Sequence, residues 1–150
     1  MAEKAGKVSL VFHDIARFRS QIFDRLLKPH GLTTSQAWVL AFLFREDGLT
    51  QSELAKRLEV GTVTVGGLVD RLEARGLVSR HADPNDRRAN RVCLTDEAHD
   101  LIGLMNKYSR TVDDIAFQGM PPETIDMVNA HLKSVRENLL AALNEEKASA

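Results

Sequence analysis

A chain of 150 residues, with 43% hydrophobic and 27% charged residues, has the length and composition of one globular domain. No apolar run reaches the roughly 18 residues that a membrane span needs, and the first residues do not resemble a signal peptide. The single cysteine, Cys93, excludes an intramolecular disulfide. The sequence therefore predicts a cytoplasmic protein.

The net charge of −1 conceals a gradient along the chain. Residues 71–91 contain six arginines and three acidic residues, whereas residues 96–150 contain five basic and ten acidic residues. A polyanion would be attracted to the middle of the chain and repelled by its tail. Composition alone leaves open whether the arginine-rich segment binds a polyanion or is a solvated loop.

Two helices are predicted in the first third of the chain. Apolar residues recur every three or four positions over residues 8–27, which predicts an amphipathic helix. Pro29 and Gly31 end this helix. Ser35 is the predicted N-cap of a second helix that runs to about Phe44.

A helix-turn-helix follows. Thr50 and Glu53 have the S/T-x-x-E spacing of a capping box, which predicts a short helix that ends near residue 59. After a connection of about three residues, a further helix is predicted over 62–75, with Gly76 as its C-cap. Two short helices joined in this way form a helix-turn-helix.

A β-hairpin and two long helices complete the predicted fold. The β-like runs 77–80 and 91–94 flank a turn-rich, arginine-rich tip. Thr95 caps a fifth helix, and Pro122 suits the first turn of a sixth. The sixth helix carries an a/d seam of apolar residues: Ile125, Val128, Leu132, Val135, Leu139 and Ala142. The predicted fold class is mainly α with a small β-hairpin wing.

The second helix of such a pair lies in the major groove of DNA, with its N-terminal residues at the base edges. Threonine hydroxyls can hydrogen-bond to bases or phosphates. Gly66 and Gly67 each cost about 1 kcal/mol relative to alanine in a helix. Two explanations stay open: a close approach of the backbone to DNA or another helix, or a loosely held helix. The predicted recognition-helix residues are Gly61, Thr62, Thr64, Gly66, Gly67 and Arg71.

The arginines of the hairpin tip suit the minor groove, where the negative potential attracts an inserted guanidinium. Alternatively, an ion pair such as Asp86 with Arg88 shapes the turn, and both roles are compatible. For Arg80, a surface ion pair with Glu73 or Asp83 is an equal alternative to DNA contact. The predicted wing residues are Asp86, Arg87, Arg88 and Arg91.

These segments together resemble the MarR family of bacterial winged helix-turn-helix regulators. The resemblance is carried by Thr50-Gln51-Ser52-Glu53-Leu54-Ala55, Thr64-Val65, Leu68-Val69-Asp70-Arg71-Leu72-Glu73, Gly76-Leu77-Val78, Asp83-Pro84-Asn85-Asp86-Arg87-Arg88 and Leu94-Thr95. By this resemblance, the family's wing arginines correspond to Arg87 and Arg88, its wing aspartate to Asp86, and its recognition-helix positions to Gly61–Gly67. The chain departs from the family where Gly66-Gly67 replaces a polar or basic pair and where Ala98 replaces a frequent glycine.

The resemblance implies a homodimer that binds a palindromic operator, usually to repress transcription. In many members a small phenolic, aromatic-carboxylate or other lipophilic ligand weakens DNA binding. It also implies three regions: an N-terminal dimerisation helix (1–30), the winged helix-turn-helix (34–95) and C-terminal dimerisation helices (96–150). The predicted dimerisation residues are Val11, Ile15, Ile125, Val128, Leu132, Val135 and Leu139. Operator, regulated genes and direction of control stay open.

A ligand pocket is predicted near the N-terminus. His13 and Arg17 lie one helical turn apart, as do Trp38 and Phe42. A cation and a histidine beside aromatic walls suit an anionic aromatic ligand. Alternatively, Trp38 and Phe42 belong to the core, and Arg17 pairs with a neighbour such as Asp14.

Other functions are weighed against this one. No phosphate loop or nucleophile motif occurs, and the five histidines are scattered without a cysteine partner, so neither an enzyme nor a metal or other cofactor is predicted. One alternative is a winged-helix adaptor that binds proteins without specific DNA binding. Another is a regulator switched by oxidation of Cys93, although a buried structural thiol is favoured there. The predicted partners are double-stranded operator DNA, a second copy of the chain and a small effector, with no membrane.

Overall fold

The computed structural model describes residues 2–86 and 89–148. Its elements are α1 (Ala2–Leu27), α2 (Thr34–Arg45), β1 (Leu49–Thr50), α3 (Gln51–Leu58), α4 (Thr62–Glu73), β2 (Val78–Ala82), β3 (Asn90–Leu94), α5 (Asp96–Ala116) and α6 (Pro122–Ala148). A single 3₁₀ turn, Lys28–His30, follows α1. Among the described residues, no helix is both long enough and apolar enough to cross a membrane. The chain divides into two compact units, residues 1–112 and 113–150.

The sheet of the first unit has three antiparallel strands in the order β1-β3-β2. Strands β2 and β3 form the predicted hairpin, with Val78 opposite Leu94 and Ala82 opposite Asn90. Strand β1, which the sequence did not predict, has only two residues and pairs with β3 at Val92 and Arg91. Two residues are too few to show the alternation of apolar and polar side chains by which a strand is predicted. The predicted mainly α fold with a β-hairpin wing is confirmed, with this strand added.

The core of the first unit fixes the position of α4. Helix α4 buries one face, formed by Val65, Leu68, Val69 and Leu72. This face belongs to a continuous apolar cluster that also includes Leu40 and Leu43 of α2, Leu54 of α3, and Val78 and Val92 of the hairpin. Because each neighbouring element contributes side chains to one cluster, α4 is packed with its opposite face outward.

The capping prediction for α3 agrees with the structure, whereas the predicted start of α2 and the predicted end of α4 are corrected. The capping box of α3 is confirmed: Thr50 N–H donates to Glu53 at 2.8 Å, and Glu53 N–H donates to Thr50 Oγ1 at 3.3 Å. The N-cap of α2 is Thr33, not Ser35, because Thr33 forms a capping box of its own with Gln36. Helix α4 ends at Glu73 rather than at residue 75.

A polar contact ties the residues after α4 to the end of α1. The guanidinium of Arg75 donates to the backbone carbonyl oxygens of His30 at 2.7 Å and Gly31 at 2.8 Å. The ring of His30 is in turn 2.8 Å from the hydroxyl of Tyr108 on α5. Arg75 therefore anchors the C-terminal end of the helix-turn-helix to the 3₁₀ turn.

Candidate nucleic-acid interface

The turn between α3 and α4 places the N-terminus of α4 at the surface. Glu59 closes α3 in the left-handed conformation with φ of 55°. Gly61 is the N-cap of α4, with extended backbone and no side-chain hydrogen bond. Thr62 and Thr64, both predicted to contact DNA, are exposed at this end of the helix. The first turn of α4 is therefore open to an approaching partner.

The outward face of α4 carries one large apolar side chain that the sequence analysis missed. Val63 has 89% of its surface exposed. Gly67 and Arg71 follow it at intervals of four residues, so the three positions form one line along the helix. Placing Val65, Leu68 and Leu72 on the buried face would have identified Val63 as the residue pointing away from the core.

Both acidic residues of α4 are held by one arginine of β2. Arg80 donates to Asp70 at 2.6 Å and forms a second ion pair with Glu73, whose Oε1 also accepts the backbone N–H of Arg80. Burial lowers the pKa of Arg80, but the hydrogen bonds and charges of these two carboxylates outweigh it and leave the pKa above its ordinary value. Arg80 therefore forms the ion pair with Glu73 that was predicted as the alternative to a DNA contact. Among the described residues, Arg71 pairs with no acid, so α4 presents a cation whose charge is not neutralised.

The two glycines of α4 have different surroundings. A Cβ atom at Gly66 would lie 3.2 Å from the side-chain amide nitrogen of Gln51, the first residue of α3. Gly66 therefore leaves room for the end of the Gln51 side chain. Among the described residues, a Cβ atom at Gly67 would meet nothing within 4 Å. This part of the chain gives no packing reason for glycine at position 67.

Replacing Gly67 with alanine is expected to raise the free energy of unfolding by about 1 kcal/mol, because alanine loses less conformational entropy in a helix and meets no neighbour. In a domain of this size, the melting temperature would rise by about 3 °C, measured by circular dichroism. Gly66→Ala is the matched control and should gain less, since its Cβ atom crowds Gln51. A lower melting temperature for Gly67→Ala would contradict this description of its surroundings.

The base of the wing is held by one buried carboxylate. Asp83 accepts the backbone N–H of Asn85 at 2.7 Å and forms an ion pair with Arg91 Nε at 2.8 Å. Arg91 also donates to the carbonyl oxygen of Gly48 at 3.0 Å. Arg91, one of the predicted wing residues, thus has two intramolecular partners. Arg87 and Arg88 lie outside the described residues.

Protonation of Asp83 should weaken the wing. The backbone N–H of Asn85 and the charge of Arg91 outweigh the effect of burial and lower the pKa of Asp83 below its usual value. A carboxylate with a lowered folded-state pKa stabilises the fold fully above its unfolded pKa, about 3.9, and this contribution is lost as the pH falls through the folded value. Thermal unfolding should therefore show Asp83→Asn less stable than the parent protein at pH 7, with the difference disappearing in strong acid.

The exposed Asp100→Asn variant controls for the loss of one negative charge. A stability difference for Asp83→Asn that persists unchanged to the lowest pH would contradict the contribution of the carboxylate charge.

The predicted dimerisation residues occur on both units. In the first unit, Val11 and Ile15 of α1 are exposed. In the second unit, Leu132 and Leu139 of α6 are 41% and 64% exposed. The other predicted residues of α6, Ile125, Val128 and Val135, are half-buried. Each unit therefore presents apolar side chains that one copy of the chain leaves in contact with water.

A cavity of about 140 Å³ lies within the first unit. It is lined by Arg19, Ser20, Phe23, Thr34, Trp38, Ser109 and Val112. Trp38 is not a core residue, since half of its surface is exposed, and its ring stacks on Phe42 with centroids 5.9 Å apart. His13, Arg17 and Phe42 of the predicted pocket are not part of this lining. Arg17 pairs with Asp14 at 2.5 Å.

The thiol of Cys93 on β3 is half-buried. Burial and the negative charge of Asp47 raise its pKa, while Arg91 and the backbone N–H of Gly48 oppose them without reversing the shift. A raised pKa decreases the thiolate fraction, and the thiolate is the reactive form. These surroundings favour a structural thiol over an oxidation switch.

Comparison with known proteins identifies the family. The model of the MarR family matches residues 30–89. TtmR, an HTH-type transcriptional regulator of Methylorubrum extorquens (strain PA1), is 38% identical over 122 residues, which cover 79% of this chain but only 60% of TtmR.

Solved structures extend the likeness over most of the chain. A MarR transcriptional regulator from Methanosarcina mazei Go1 superposes with a TM-score of 0.83 at 26% identity, covering 90% of this chain and 97% of that protein. BpsR of Bordetella bronchiseptica, whose DNA binding is regulated by 6-hydroxynicotinic acid, superposes with a TM-score of 0.74 at 25% identity, covering 87% of this chain and 98% of BpsR. The helix-turn-helix with its β-hairpin wing and the similarity to these relatives indicate the same family: the chain belongs to the MarR family of transcriptional regulators.

Proposed function

We propose that this protein is a homodimeric repressor that binds a palindromic operator and is released from it by a small anionic aromatic ligand. The observation that carries the proposal is the outward face of α4. That face combines exposed threonines at its N-terminus with Arg71, which pairs with no acid among the described residues, while both acids of the helix form ion pairs with Arg80. Because Arg71 and Arg80 together balance the charges of Asp70 and Glu73, this surface has no net negative charge to repel the phosphates of a DNA groove.

DNA contact is proposed through α4 and the wing. Helix α4 would lie in the major groove, with Thr62 and Thr64 at the base edges and Arg71 further along the groove. Arg87 and Arg88 would enter the adjacent minor groove. The paired wing base at Asp83 and Arg91 supports this arrangement, because it fixes the hairpin on either side of the tip.

A dimer is proposed because an interface with a second copy would remove the exposed apolar side chains of α1 and α6 from water. Val11 and Ile15 on α1, and Leu132 and Leu139 on α6, would each lie against a second copy. A two-fold dimer places its two recognition helices about 34–36 Å apart, one turn of B-DNA, which is why a palindromic operator is expected.

The ligand is proposed to bind in the cavity beside Trp38. Its volume of about 140 Å³ is close to that of a cavity that holds one benzene ring. Arg19 supplies a cation for a carboxylate, and Trp38 and Phe23 supply apolar walls. The regulation of BpsR by 6-hydroxynicotinic acid supports an aromatic acid as the first ligand class to test.

DNA binding is tested by fluorescence anisotropy on the fragment upstream of the chain's own coding sequence, with a scrambled duplex as the control. We expect tight binding that prefers the natural fragment and weakens steeply with salt, because phosphate contacts release counterions. Equal, weak binding to both duplexes, followed by a genome-wide selection that enriches no sequence, would overturn the proposal in favour of a protein-binding adaptor.

The ligand site has its own readout, since Trp38 is the chain's single tryptophan. Titration with 6-hydroxynicotinic acid and with salicylate should quench its fluorescence and release the operator in parallel. Arg19→Ala should weaken ligand binding about tenfold, the value of one charged hydrogen bond. The matched variant Arg17→Ala should bind normally, and the reverse ranking would place the ligand on the outer face of α1 instead.

A further inference from the structure

We propose that Val63 selects a thymine in each half of the operator by contact with the methyl group of that base. The inference rests on the proposed DNA binding and adds the identity of one base and the residue that reads it. It also includes a role for Gly67, whose missing side chain lets Val63 reach the base edge.

The exposure of Val63 is the first observation. At 89%, it is the most exposed large apolar side chain among those the structure describes. It contributes nothing to the core, and as a β-branched residue it is a poorer helix former than alanine. Folding therefore gives no reason for valine at this position, the second residue of α4.

The surroundings of Val63 are the second observation. Gly67 lies one turn further along the same face, and no atom of the described residues lies within 4 Å of the place where its Cβ atom would stand. With no side chain at 67, the isopropyl group of Val63 stands clear on that side. Arg71 follows at the next turn of the same line. The outward face thus offers an apolar contact at its N-terminal end and a cation at its C-terminal end.

The chemistry of the major groove selects the base. Most groups on its base edges are hydrogen-bond donors or acceptors, and covering one with an isopropyl group would leave it unsatisfied. The C5 methyl of thymine is the apolar group that these edges present. Since the N-terminal residues of a recognition helix lie at the base edges, Val63 is placed where a thymine methyl is the favourable neighbour.

The test begins with selection of the preferred duplex from random DNA by the full-length chain. In the selected operator, each thymine is then replaced singly by deoxyuracil, which removes only the C5 methyl. Binding constants are measured by anisotropy for the parent protein, for Val63→Ala, and for Val60→Ala. Val60 is the matched control: an exposed valine in the turn before α4 that loses the same two methyl groups. Thermal unfolding verifies that all three proteins are folded.

For the parent protein, we expect one thymine in each half-site whose replacement weakens binding about fourfold, the value of one buried methyl group. Val63→Ala should bind the thymine and uracil duplexes equally at that position, whereas Val60→Ala should keep the difference. If each replacement of thymine by deoxyuracil weakens binding of Val63→Ala as much as it weakens binding of the parent protein, Val63 does not read a methyl group and the inference is wrong. Failure to select any duplex would instead overturn the proposed function, so the two failures are distinguishable.

Discussion

Replacing both Arg87 and Arg88 with alanine is expected to weaken operator binding by about a hundredfold or more, without unfolding the protein. A dimer would lose four arginines, each worth on the order of 1 kcal/mol at a phosphate or in the minor groove. The plot of log K against log salt should become shallower by roughly 3 to 4, since each lost cation that neutralises phosphate charge removes about 0.9 from the slope. Anisotropy titrations at four or five salt concentrations measure both quantities.

The control is a second double variant, Arg25→Ala with Arg110→Ala, which removes the same charge from exposed positions on α1 and α5. It should change affinity little and leave the salt slope within error. Equal losses in the two double variants would mean that net charge, not the wing, governs binding. Full affinity in Arg87→Ala/Arg88→Ala would contradict the assignment of these residues to a DNA contact.

Local sequence signals predicted much of this fold. The capping box of Thr50 and Glu53 is satisfied within a four-residue segment, so its meaning does not depend on distant parts of the chain. The same holds for the apolar periodicity of α1 and the turn residues of the wing. Predictions that depended on a choice among neighbouring capping residues were weaker, as the N-cap at Thr33 rather than Ser35 illustrates.

Contacts between distant residues could not be read from the sequence. The carbonyl oxygens that bind Arg75 belong to residues more than 40 positions away, and the partner of Arg91 at Gly48 is as distant. The exposure of Val63 required knowledge of which face of α4 is buried. The partly exposed position of Trp38 likewise follows from the packing of α2, because a tryptophan in an apolar helix is more often a core residue.

Substituting glutamate for Leu132 is the second change with a large expected effect, because it places a charge in a proposed dimer contact. A carboxylate buried there without a partner would cost several kcal/mol. Sedimentation velocity should show a monomer at micromolar concentrations. Operator affinity should fall by about a hundredfold or more, since a monomer loses the gain that comes from binding two linked half-sites. In one copy of the chain Leu132 is 41% exposed, so the helix itself tolerates the change.

Ala130→Glu is the matched control, on the opposite side of α6 and also exposed; it should stay dimeric and bind the operator normally. Leu139→Glu provides an independent variant of the same face if Leu132→Glu loses helical circular dichroism. The dimer proposal requires that oligomeric state and DNA affinity change together. A folded Leu132→Glu monomer with the parent protein's affinity would show that one recognition helix suffices, and a dimer of unchanged stability would show that α6 contributes little to self-association.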